Sequence, residues 1–569
     1  MPDHVGMWLS LVEHLVRDQG VAGSNPVIPT MNSGGYGFPV RNPVFVSTFS
    51  SRRSATMNLA RLLSETAARN PGKPAVVFEG TPCTYGAFDR EVERYAAMLH
   101  AAGVGKGDRV AVQLPKRMEF LFLHLANLSV GAVTLPLNTD YRPEEVEYFL
   151  SDSGTSLFVT DAERFARAAG SIRGLRGVRT LLLDGGGGAG EESLFERLSD
   201  VPAGFRRSWP AGGDDPAMIC YTSGTTGRSK GAVITHRNLV SNMLALHDAW
   251  EWTGNDVLLH VLPLFHVHGL NVATHGSLYA GSTIVMHGKF DPGRAWDSLE
   301  ANGCTLFMGV PTIYQRMMGE WEKRERKPDL RGMRIFISGS APLSDSLFHR
   351  FERSTGFRIL ERYGMTETGM IASNRIDPAH RKAKSVGYPL AGVDLRVAGE
   401  DGADVRPGEV GEVWIRGDNV FRGYWGMPGK TAESFVDAWF RSGDLGFLDP
   451  EDGGRLYLVG RAKELIITGG YNVYPKEIEN ILEAHEAVKE SAVVGLPDEE
   501  FGEKVVAVIV QKEGVAPVPP ETFVALCKIH LASYKCPRQV FIVRDLPRNA
   551  MGKIRKNRIV ESLRDGKPL

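Results

Sequence analysis

From Leu59 onward the chain alternates short apolar runs with longer stretches of helical character. The runs PAVVF, RVAVQL and GAVTLPL are short and favour strands, whereas FLFLHLANLSV favours a helix. This alternation predicts a layered α/β domain with buried parallel strands. Residues 1–56 differ, because GVAGSNPVIPTMNSGGYGFPV is aperiodic and rich in turn residues. We therefore expect a disordered extension there.

This extension precedes Met57, and we interpret Met57 as the physiological start of the protein. A transit peptide is the alternative, and the early acidic residues Asp3, Glu13 and Asp18 disfavour it.

A second boundary is predicted within GRAKELIITGGYNVYPKEIE, where a charged turn leads into a strand, a Gly-Gly turn and a helix. We therefore expect a large N-terminal domain over 57–460, built of αβ subdomains, and a small, mobile α+β domain over 461–569.

The charge balance narrows the class of partner. The chain has 66 Lys and Arg residues against 67 Asp and Glu, a net charge of -1, so no overall field attracts nucleic acid or an anionic membrane. The five cysteines form no C-x-x-C pair, and no apolar run reaches the roughly 20 residues that a membrane span needs. The sequence predicts a soluble cytoplasmic protein and leaves its oligomeric state open.

A glycine-rich stretch, YTSGTTGRSKG, directly follows the apolar strand PAMICYT, and THRNLVSNMLALHDAW is then predicted to be a helix capped by Thr235. Strand, glycine-rich loop and helix together are typical of a phosphate site. The spacing differs from a P-loop, because Lys230 lies three residues after Gly227 and precedes Gly231. A mobile Gly/Ser turn is the alternative. The candidate phosphate ligands are Thr222, Ser223, Gly224, Thr225, Thr226, Gly227 and Lys230.

Five motifs in order give this loop a context. After YTSGTTGRSKG come YGMTET, SGDLG, GRAKELIITGGYNVYPKEIE and LPRNAMGKIRK. Together they resemble the AMP-forming acyl-adenylate family, which includes acyl-CoA synthetases, peptide-synthetase adenylation domains and luciferases. The resemblance implies that the loop binds the triphosphate of ATP.

The same resemblance assigns the remaining nucleotide contacts. Thr366 would donate to the α-phosphate, Glu367 would support Mg²⁺, and Asp444 would accept from the ribose hydroxyls with help from Arg461. Tyr363, Gly364 and Met365 would flank adenine and the α-phosphate. Taken alone, an Asp in a Gly-flanked turn such as Asp444 more often forms an Asx turn, and an Arg such as Arg461 is more often a solvated charge.

The small domain would supply the catalytic lysine, Lys553, which by resemblance bridges the reacting carboxylate and the α-phosphate. Lys463 matches a hinge position. Gly469, Gly470 and Tyr471 would shape the tunnel for coenzyme A in a second conformation. Lys553 is needed for adenylate formation but lies on the small domain. We therefore expect this domain to move before the thiol of coenzyme A reacts.

The residues near the acyl group bear on the choice of acid. In the stretch LPLFHVHGL, amino-acid-activating relatives carry an Asp after the Phe, whereas here Phe265 is followed by His266. An amino acid substrate is therefore disfavoured. Free CoA is the expected acceptor. Arg362 precedes the YGMTET motif, where many fatty and aryl acyl-CoA synthetases have Gly. A second substrate carboxylate would neutralise that guanidinium. The alternative is that Arg362 pairs with Glu361 and braces the loop.

A wider set of stretches resembles the malonyl-CoA synthetase subgroup, among them LERYGMTETGMIASN, GDNVFRGYWGMPGKT and FHVHGL. That resemblance implies that Arg362, Arg316 and His268 surround the distal carboxylate of malonate, while Val267 and Met365 limit the substituent at C2. Methylmalonate is a further candidate substrate. A ligase for a short-chain or aromatic monocarboxylic acid is the alternative function.

Overall fold

The computed structural model describes residues 57–185, 192–201, 205–222, 229–549 and 553–567. The predicted disordered extension over 1–56 lies outside the described residues. So do five of the candidate phosphate ligands, namely Ser223, Gly224, Thr225, Thr226 and Gly227.

The large N-terminal domain contains most of the strands. In chain order they are β1 Pro74–Phe78, β2 Thr81–Thr84, β3 Arg109–Gln113, β4 Val133–Pro136, β5 Leu157–Thr160, β6 Arg179–Leu182, β7 Glu192–Ser193, β8 Pro216–Thr222, β9 Lys230–Thr235, β10 Val257–His260, β11 Thr283–Met286, β12 Leu306–Gly309, β13 Ile335–Ser338, β14 Leu360–Met365, β15 Gly369–Ser373, β16 Ser385–Pro389, β17 Val393–Ala398, β18 Gly411–Gly417, β19 Gly423–Tyr424, β20 Phe435–Val436, β21 Trp439–Asp449 and β22 Arg455–Arg461.

Helices cover these strands. They are α1 Leu59–Arg69, α2 Tyr85–Ala101, α3 Met118–Val130, α4 Pro143–Ser153, α5 Ala162–Ile172, α6 Leu194–Ser199, α7 His236–Ala249, a π-helix His268–His275, α8 Gly276–Ala280, α9 Pro292–Ala301, α10 Pro311–Lys323, α11 Asp345–Thr355 and α12 Pro428–Glu433. Short 3₁₀ turns are formed by Pro378–His380, Pro450–Asp452 and Ala462–Glu464.

Two large sheets form the layers of this domain. One has the order β19-β9-β8-β4-β3-β5-β6-β7, and the other runs β17-β18-β21-β22-β16-β15-β14-β13-β12-β10-β11-β1-β2, with β20 paired to β21. In the second sheet β1, β11, β10, β12, β13 and β14 are parallel neighbours. Parallel strands carry apolar side chains on both faces, which explains why β12 and β13 are buried along their whole length.

Several predicted elements occur as expected. PAVVF forms β1, PAMICYT forms β8, and FLFLHLANLSV lies within α3, whose residues from Phe120 to Val130 are all buried. Helix α7 begins after Thr235, whose side chain accepts from the Asn238 amide while Asn238 caps in return.

The helix predicted from Thr235 is present as α7, but it does not follow the glycine-rich loop directly, because an unpredicted strand lies between them. Residues Lys230 to Thr235 form β9, which pairs antiparallel with β8 so that Thr222 lies opposite Lys230. The loop therefore closes a β-hairpin, and α7 starts at the far end of β9. Phosphate binding at this loop cannot draw on the dipole of α7, because that effect is confined to the first turn of a helix.

The small domain consists of β23 Ile466–Thr468, β24 Tyr471–Val473, β25 Val488–Asp498, β26 Gly502–Gln511 and β27 Gln539–Val543 with helices α13 Pro475–Glu483, α14 Pro520–His530 and α15 Lys556–Arg564 and a 3₁₀ turn, Ser533–Lys535. The strand order is β24-β23-β26-β25, with β27 parallel to β26. The predicted fold class, α/β with a smaller second domain, is confirmed. Within the described part of the chain, no helix is long and apolar enough to cross a membrane.

Candidate active site

Strands β10, β12, β13 and β14 are parallel, so their carboxyl ends meet at one edge of the sheet. Side chains just beyond that edge are the usual source of a ligand site in open α/β sheets. Arg362 belongs to β14, and Gly339 directly follows β13. A β-carbon on Gly339 would lie 2.5 Å from Cζ of Arg362, so the guanidinium occupies space that a side chain at position 339 would need.

The guanidinium of Arg362 is buried and has no ion pair among the described residues. Arg362 is 2% exposed, and its Nε and Nη2 atoms have no hydrogen-bond partner there. Burial lowers the pKa of this guanidinium to about 9. A buried cation without an anion is costly, which marks this position as a place for an anionic ligand.

Glu361 does not neutralise its neighbour. Successive side chains of a strand point to opposite faces, and the Glu361 Oε1 atom accepts a hydrogen bond of 2.9 Å from the amide of Leu343. Burial raises the pKa of Glu361 to about 8. The alternative in which Arg362 pairs with Glu361 is therefore not observed.

His268 lies near Arg362, at the start of the π-helix. Its Nδ1 atom is 3.4 Å from the Ser340 hydroxyl, while its Nε2 atom is buried without a partner among the described residues. Burial, followed by the charge of Arg362, lowers the pKa of His268 well below its usual range. The ring is neutral, so one nitrogen carries the proton, and in the tautomer in which Nδ1 accepts from Ser340, Nε2 is a proton donor.

Four more residues near Arg362 in the sequence or in the prediction bear on the acyl pocket. His266 is half-buried, and desolvation, followed by repulsion from the charges of Lys553 and Arg362, lowers its pKa to about 3. Val267 is buried and Met365 is half-buried. Arg316 is exposed on α10 and its guanidinium lies over the Phe290 ring at 4.8 Å, so the described contacts do not join it to Arg362 and His268.

The predicted ribose contacts are paired across the sheet. Asp444 on β21 lies opposite Arg461 at the end of β22, and Arg461 Nε is 3.0 Å from Asp444 Oδ1. The Tyr363 hydroxyl donates to the other oxygen, Oδ2, over 2.5 Å. The carboxylate is thereby fixed between a strand and the predicted adenine segment.

Glu367 lies between that segment and the glycine-rich hairpin. Its Oε1 atom accepts from the Tyr424 hydroxyl at 3.1 Å and from the Thr222 hydroxyl at 3.4 Å, while Lys230 lies over the Tyr424 ring at 4.4 Å. Glu367 is buried, Thr366 before it is half-buried, and Gly364 is required because a β-carbon there would lie 2.3 Å from the Gly369 carbonyl oxygen.

This arrangement fits Mg²⁺ held by one carboxylate. The described residues contain no group of three or more acids, histidines or cysteines that could hold a metal alone. Mg²⁺ is usually bound through one or two carboxylates together with substrate phosphates, and Glu367 beside the hairpin supplies such a carboxylate.

Lys553 faces this site from the small domain. Desolvation lowers its pKa to about 8, with Arg461 and Arg362 contributing repulsion and Asp444 and Glu367 attraction. Lys553 keeps an exposed surface, so water screens part of this shift. The charges that act on Lys553 belong to residues predicted for both the nucleotide site and the acyl pocket.

The predicted hinge and CoA residues follow Arg461 in the chain. Lys463 belongs to the 3₁₀ turn Ala462–Glu464. Gly469 and Gly470 form the turn between β23 and β24 with φ of 58° and 81°. Tyr471 is 55% exposed and stacks on Tyr534 with ring centroids 4.6 Å apart.

Several site residues were missed in the sequence. Gly339 and Ser340 occur in FISGSAPL, where small residues directly follow an apolar strand, a signal for the carboxyl edge of a sheet. Ser338, the last residue of β13, has a buried hydroxyl without a described partner, and Ser340 has a φ of 69° that is strained for serine. Tyr424 had no signal of its own.

Comparisons with known proteins match both domains. Residues 63–425 match the family described as AMP-binding enzyme, and residues 477–553 match the AMP-binding enzyme C-terminal domain. The chain is 37% identical over 496 residues to a feruloyl-CoA synthase of Amycolatopsis sp, covering 87% of this chain and 96% of that protein. It is 36% identical over 515 residues to the mitochondrial malonate–CoA ligase of Mus musculus, covering 84% and 86%.

Among solved structures, ATP-bound MatB from Rhodopseudomonas palustris superposes with a TM-score of 0.81 at 41% identity. The alignment covers 89% of this chain and 99% of that one.

Proposed function

The chain belongs to the AMP-binding enzyme family and is an AMP-forming acyl-CoA synthetase that uses ATP and CoA, and from that premise we propose that its acid is malonate. The reaction converts malonate, ATP and CoA into malonyl-CoA, AMP and pyrophosphate through malonyl-adenylate. Similarity alone leaves the acid open, because the relatives include ligases named for feruloyl and for malonyl products.

The proposal is carried by one observation, the buried guanidinium of Arg362 that has no described partner. A distal substrate carboxylate would supply the missing charge. Each charge-assisted hydrogen bond to it is worth roughly 1.5–3 kcal/mol, and leaving the cation unpaired costs several kcal/mol. At about 1.4 kcal/mol per decade, these contacts separate a diacid from its monoacid analogue by roughly tenfold to a thousandfold.

His268 supports the same assignment. Its unpartnered Nε2–H and the free nitrogen atoms of Arg362 are donors in a buried pocket, and the pocket contains no described acid that accepts from them. Arg316 remains a predicted contact whose side chain would have to leave Phe290.

In the first half-reaction, Lys553 would hold the near carboxylate of malonate against the α-phosphate of ATP. A carboxylate oxygen attacks the α-phosphorus, and pyrophosphate leaves with the electron pair of the broken P–O bond. Asp444 and Arg461 would orient the ribose, and Thr366 would donate to the phosphate. Mg²⁺ bound at Glu367 would supply screening of the phosphate charges.

In the second half-reaction, the thiol of CoA attacks the carbonyl of malonyl-adenylate and AMP leaves. We propose that the small domain first turns about Lys463, which withdraws Lys553 and brings Gly469, Gly470 and Tyr471 to the pantetheine chain. The 55% exposure of Tyr471 supports this role, because the part of its surface that does not stack on Tyr534 can meet a new surface.

The walls of the pocket bear on the C2 position. Val267 is buried and Met365 half-buried beside the candidate acyl pocket. We propose that they limit the C2 substituent to a small group, so that methylmalonate is a second substrate. We further propose a cytoplasmic location, which the five free thiols support.

A ligase for a short-chain or aromatic monocarboxylic acid is the second candidate, favoured by the similarity to a feruloyl-CoA synthase. A panel of malonate, methylmalonate, propionate, benzoate and ferulate, assayed for CoA thioester, separates the two. Malonate should be turned over with the highest kcat/KM. Faster turnover of any of the three monoacids would contradict the proposal.

A further inference from the structure

Lys116 connects the first large sheet to the acyl pocket. It lies between β3 and α3, and its Nζ atom is 2.8 Å from both His260 Nδ1 and the His260 carbonyl oxygen. His260 is the last residue of β10. Lys116, which follows β3 of the first sheet, thus contacts the end of β10 in the second sheet.

His260 in turn contacts two residues of the π-helix, Gly269 and Thr274. Because Lys116 donates to Nδ1, the neutral imidazole carries its proton on Nε2, which lies 2.9 Å from the Gly269 carbonyl oxygen and 3.2 Å from the Thr274 hydroxyl. The Thr274 hydroxyl also donates to the Gly269 carbonyl. Burial, followed by the charge of Lys116, keeps the pKa of His260 well below its usual range.

Gly269 has no room for a side chain. A β-carbon there would lie 2.0 Å from the Pro263 carbonyl oxygen, so the segment from Pro263 to Gly269 is closely packed. His268 precedes Gly269 directly, and its position in the acyl pocket therefore follows that of the Gly269 carbonyl.

The far end of the π-helix is held by α3 as well. His275 Nε2 is 2.9 Å from His124 Nε2, and the two rings stack at 5.1 Å. Helix α3 and the loop before it thus anchor both ends of the π-helix. An isolated π-helix is a rare and less favourable conformation, which gives such anchors a purpose.

Lys116 has no ion pair among the described residues. The carboxylate that acts on its charge, Glu79, is itself paired with Arg294. Burial lowers the pKa of Lys116 well below its usual range. Lys116 is desolvated, yet within the described chain it contacts His260 and not an acid. This indicates that the contact between Lys116 and His260 serves to fix a geometry.

We propose that Lys116 is a positioning residue for the acyl pocket, acting through His260 and the Gly269 carbonyl to hold His268 against the distal group of the acid. This inference rests on the proposed function in assigning His268 to the acid. The nucleotide side should not depend on it, because Asp444, Arg461 and Glu367 contact neither Lys116 nor His260 in the described structure.

The test compares the unaltered enzyme with Lys116→Met, which keeps the length of the chain and removes the donor. Both are assayed for pyrophosphate release with the acid that the unaltered enzyme turns over fastest. We expect the KM for that acid to rise about 10- to 100-fold, as a displacement of about 1 Å in a positioning group can cost, while the KM for ATP stays within about twofold. If Lys116 only supports the fold, Lys116→Met should raise the KM for the acid and the KM for ATP together, or lower kcat alone.

His260→Gln and the double variant provide the matched control, because a glutamine amide can still donate to the Gly269 carbonyl. If Lys116 acts through His260, removing it from the His260→Gln enzyme should change the KM for the acid by less than about threefold. Full additivity, or an unchanged KM in Lys116→Met, would overturn the inference. A fastest acid other than malonate would contradict the proposed function alone, because the comparison of KM values still applies.

Discussion

Glu361 and Arg362 are consecutive residues of β14, yet their side chains lie on opposite sides of the strand and do not pair. Glu361 accepts from the Leu343 amide, whereas the guanidinium of Arg362 lies against Gly339. One strand therefore carries a buried acid and a buried base, each without a charged partner among the described residues. Four predictions follow from this pair and its surroundings.

Arg362→Met should lower kcat/KM for malonate by about ten- to a thousandfold and leave that for propionate within about threefold, because only the diacid needs the cation. The measurement is thioester formation with both acids. Arg362→Lys is the control, because it keeps the charge but loses the planar guanidinium. Its kcat/KM for malonate should lie between that of the unaltered enzyme and that of Arg362→Met. Equal losses for both acids would show that Arg362 merely supports the fold.

Gly339→Ala should weaken malonate binding through a different residue. The new β-carbon would lie 2.5 Å from Arg362 Cζ, so the guanidinium must move. We expect the KM for malonate to rise at least about tenfold with the KM for ATP unchanged, since misplacement of a binding group by about 1 Å has effects of that size. An unchanged KM for malonate would mean that Arg362 has room to adjust without leaving the substrate.

Glu361→Gln should flatten the pH dependence of stability. The folded-state pKa of about 8 is above the unfolded value, so Glu361 makes folding less favourable as pH rises through that interval. The variant, which mimics the protonated acid, should match the unaltered protein near about pH 4, below the unfolded-state pKa, and be more stable near about pH 8, by up to several kcal/mol. Urea unfolding at both pH values checks this. Equal stability at about pH 8 would imply an ionised Glu361.

The pH dependence of the first half-reaction should report on Lys553. Its pKa of about 8 means that the needed cation is present below that pH and is lost above it. Pyrophosphate release should therefore fall above about pH 8. In Lys553→Arg the ratio of the rates at about pH 7 and about pH 9 should approach one, because arginine keeps its charge. The same basic limb in both proteins would assign it to another group.

The local sequence pattern was sufficient to predict many helices and strands and to identify the family. The runs that form β1, β8 and α3 have the length and spacing of those structures, and the five motifs identified the family correctly. The β-hairpin at the phosphate loop was missed, because β9 is defined by its pairing with β8 and β19 rather than by its own six residues. Pairing between distant segments leaves little trace in a local pattern.

The same limit applies to the site. Sequence motifs indicated Arg362, Asp444 and Glu367, but the absence of a partner for Arg362 depends on where β13 places Gly339 and on the Leu343 amide that holds Glu361. The anchoring of the π-helix by Lys116 depends on a contact between two sheets, over 144 residues of sequence. The roles assigned to the phosphate-loop residues outside the described ranges, to Lys463 and to the CoA residues stay predictions.

The close approach of Gly339 to Arg362 also restricts how such a pocket can arise in evolution. An arginine introduced at this place in a relative with a larger residue after β13 would have to adopt another side-chain position. Engineers who transfer diacid recognition to another ligase should therefore copy the two positions together.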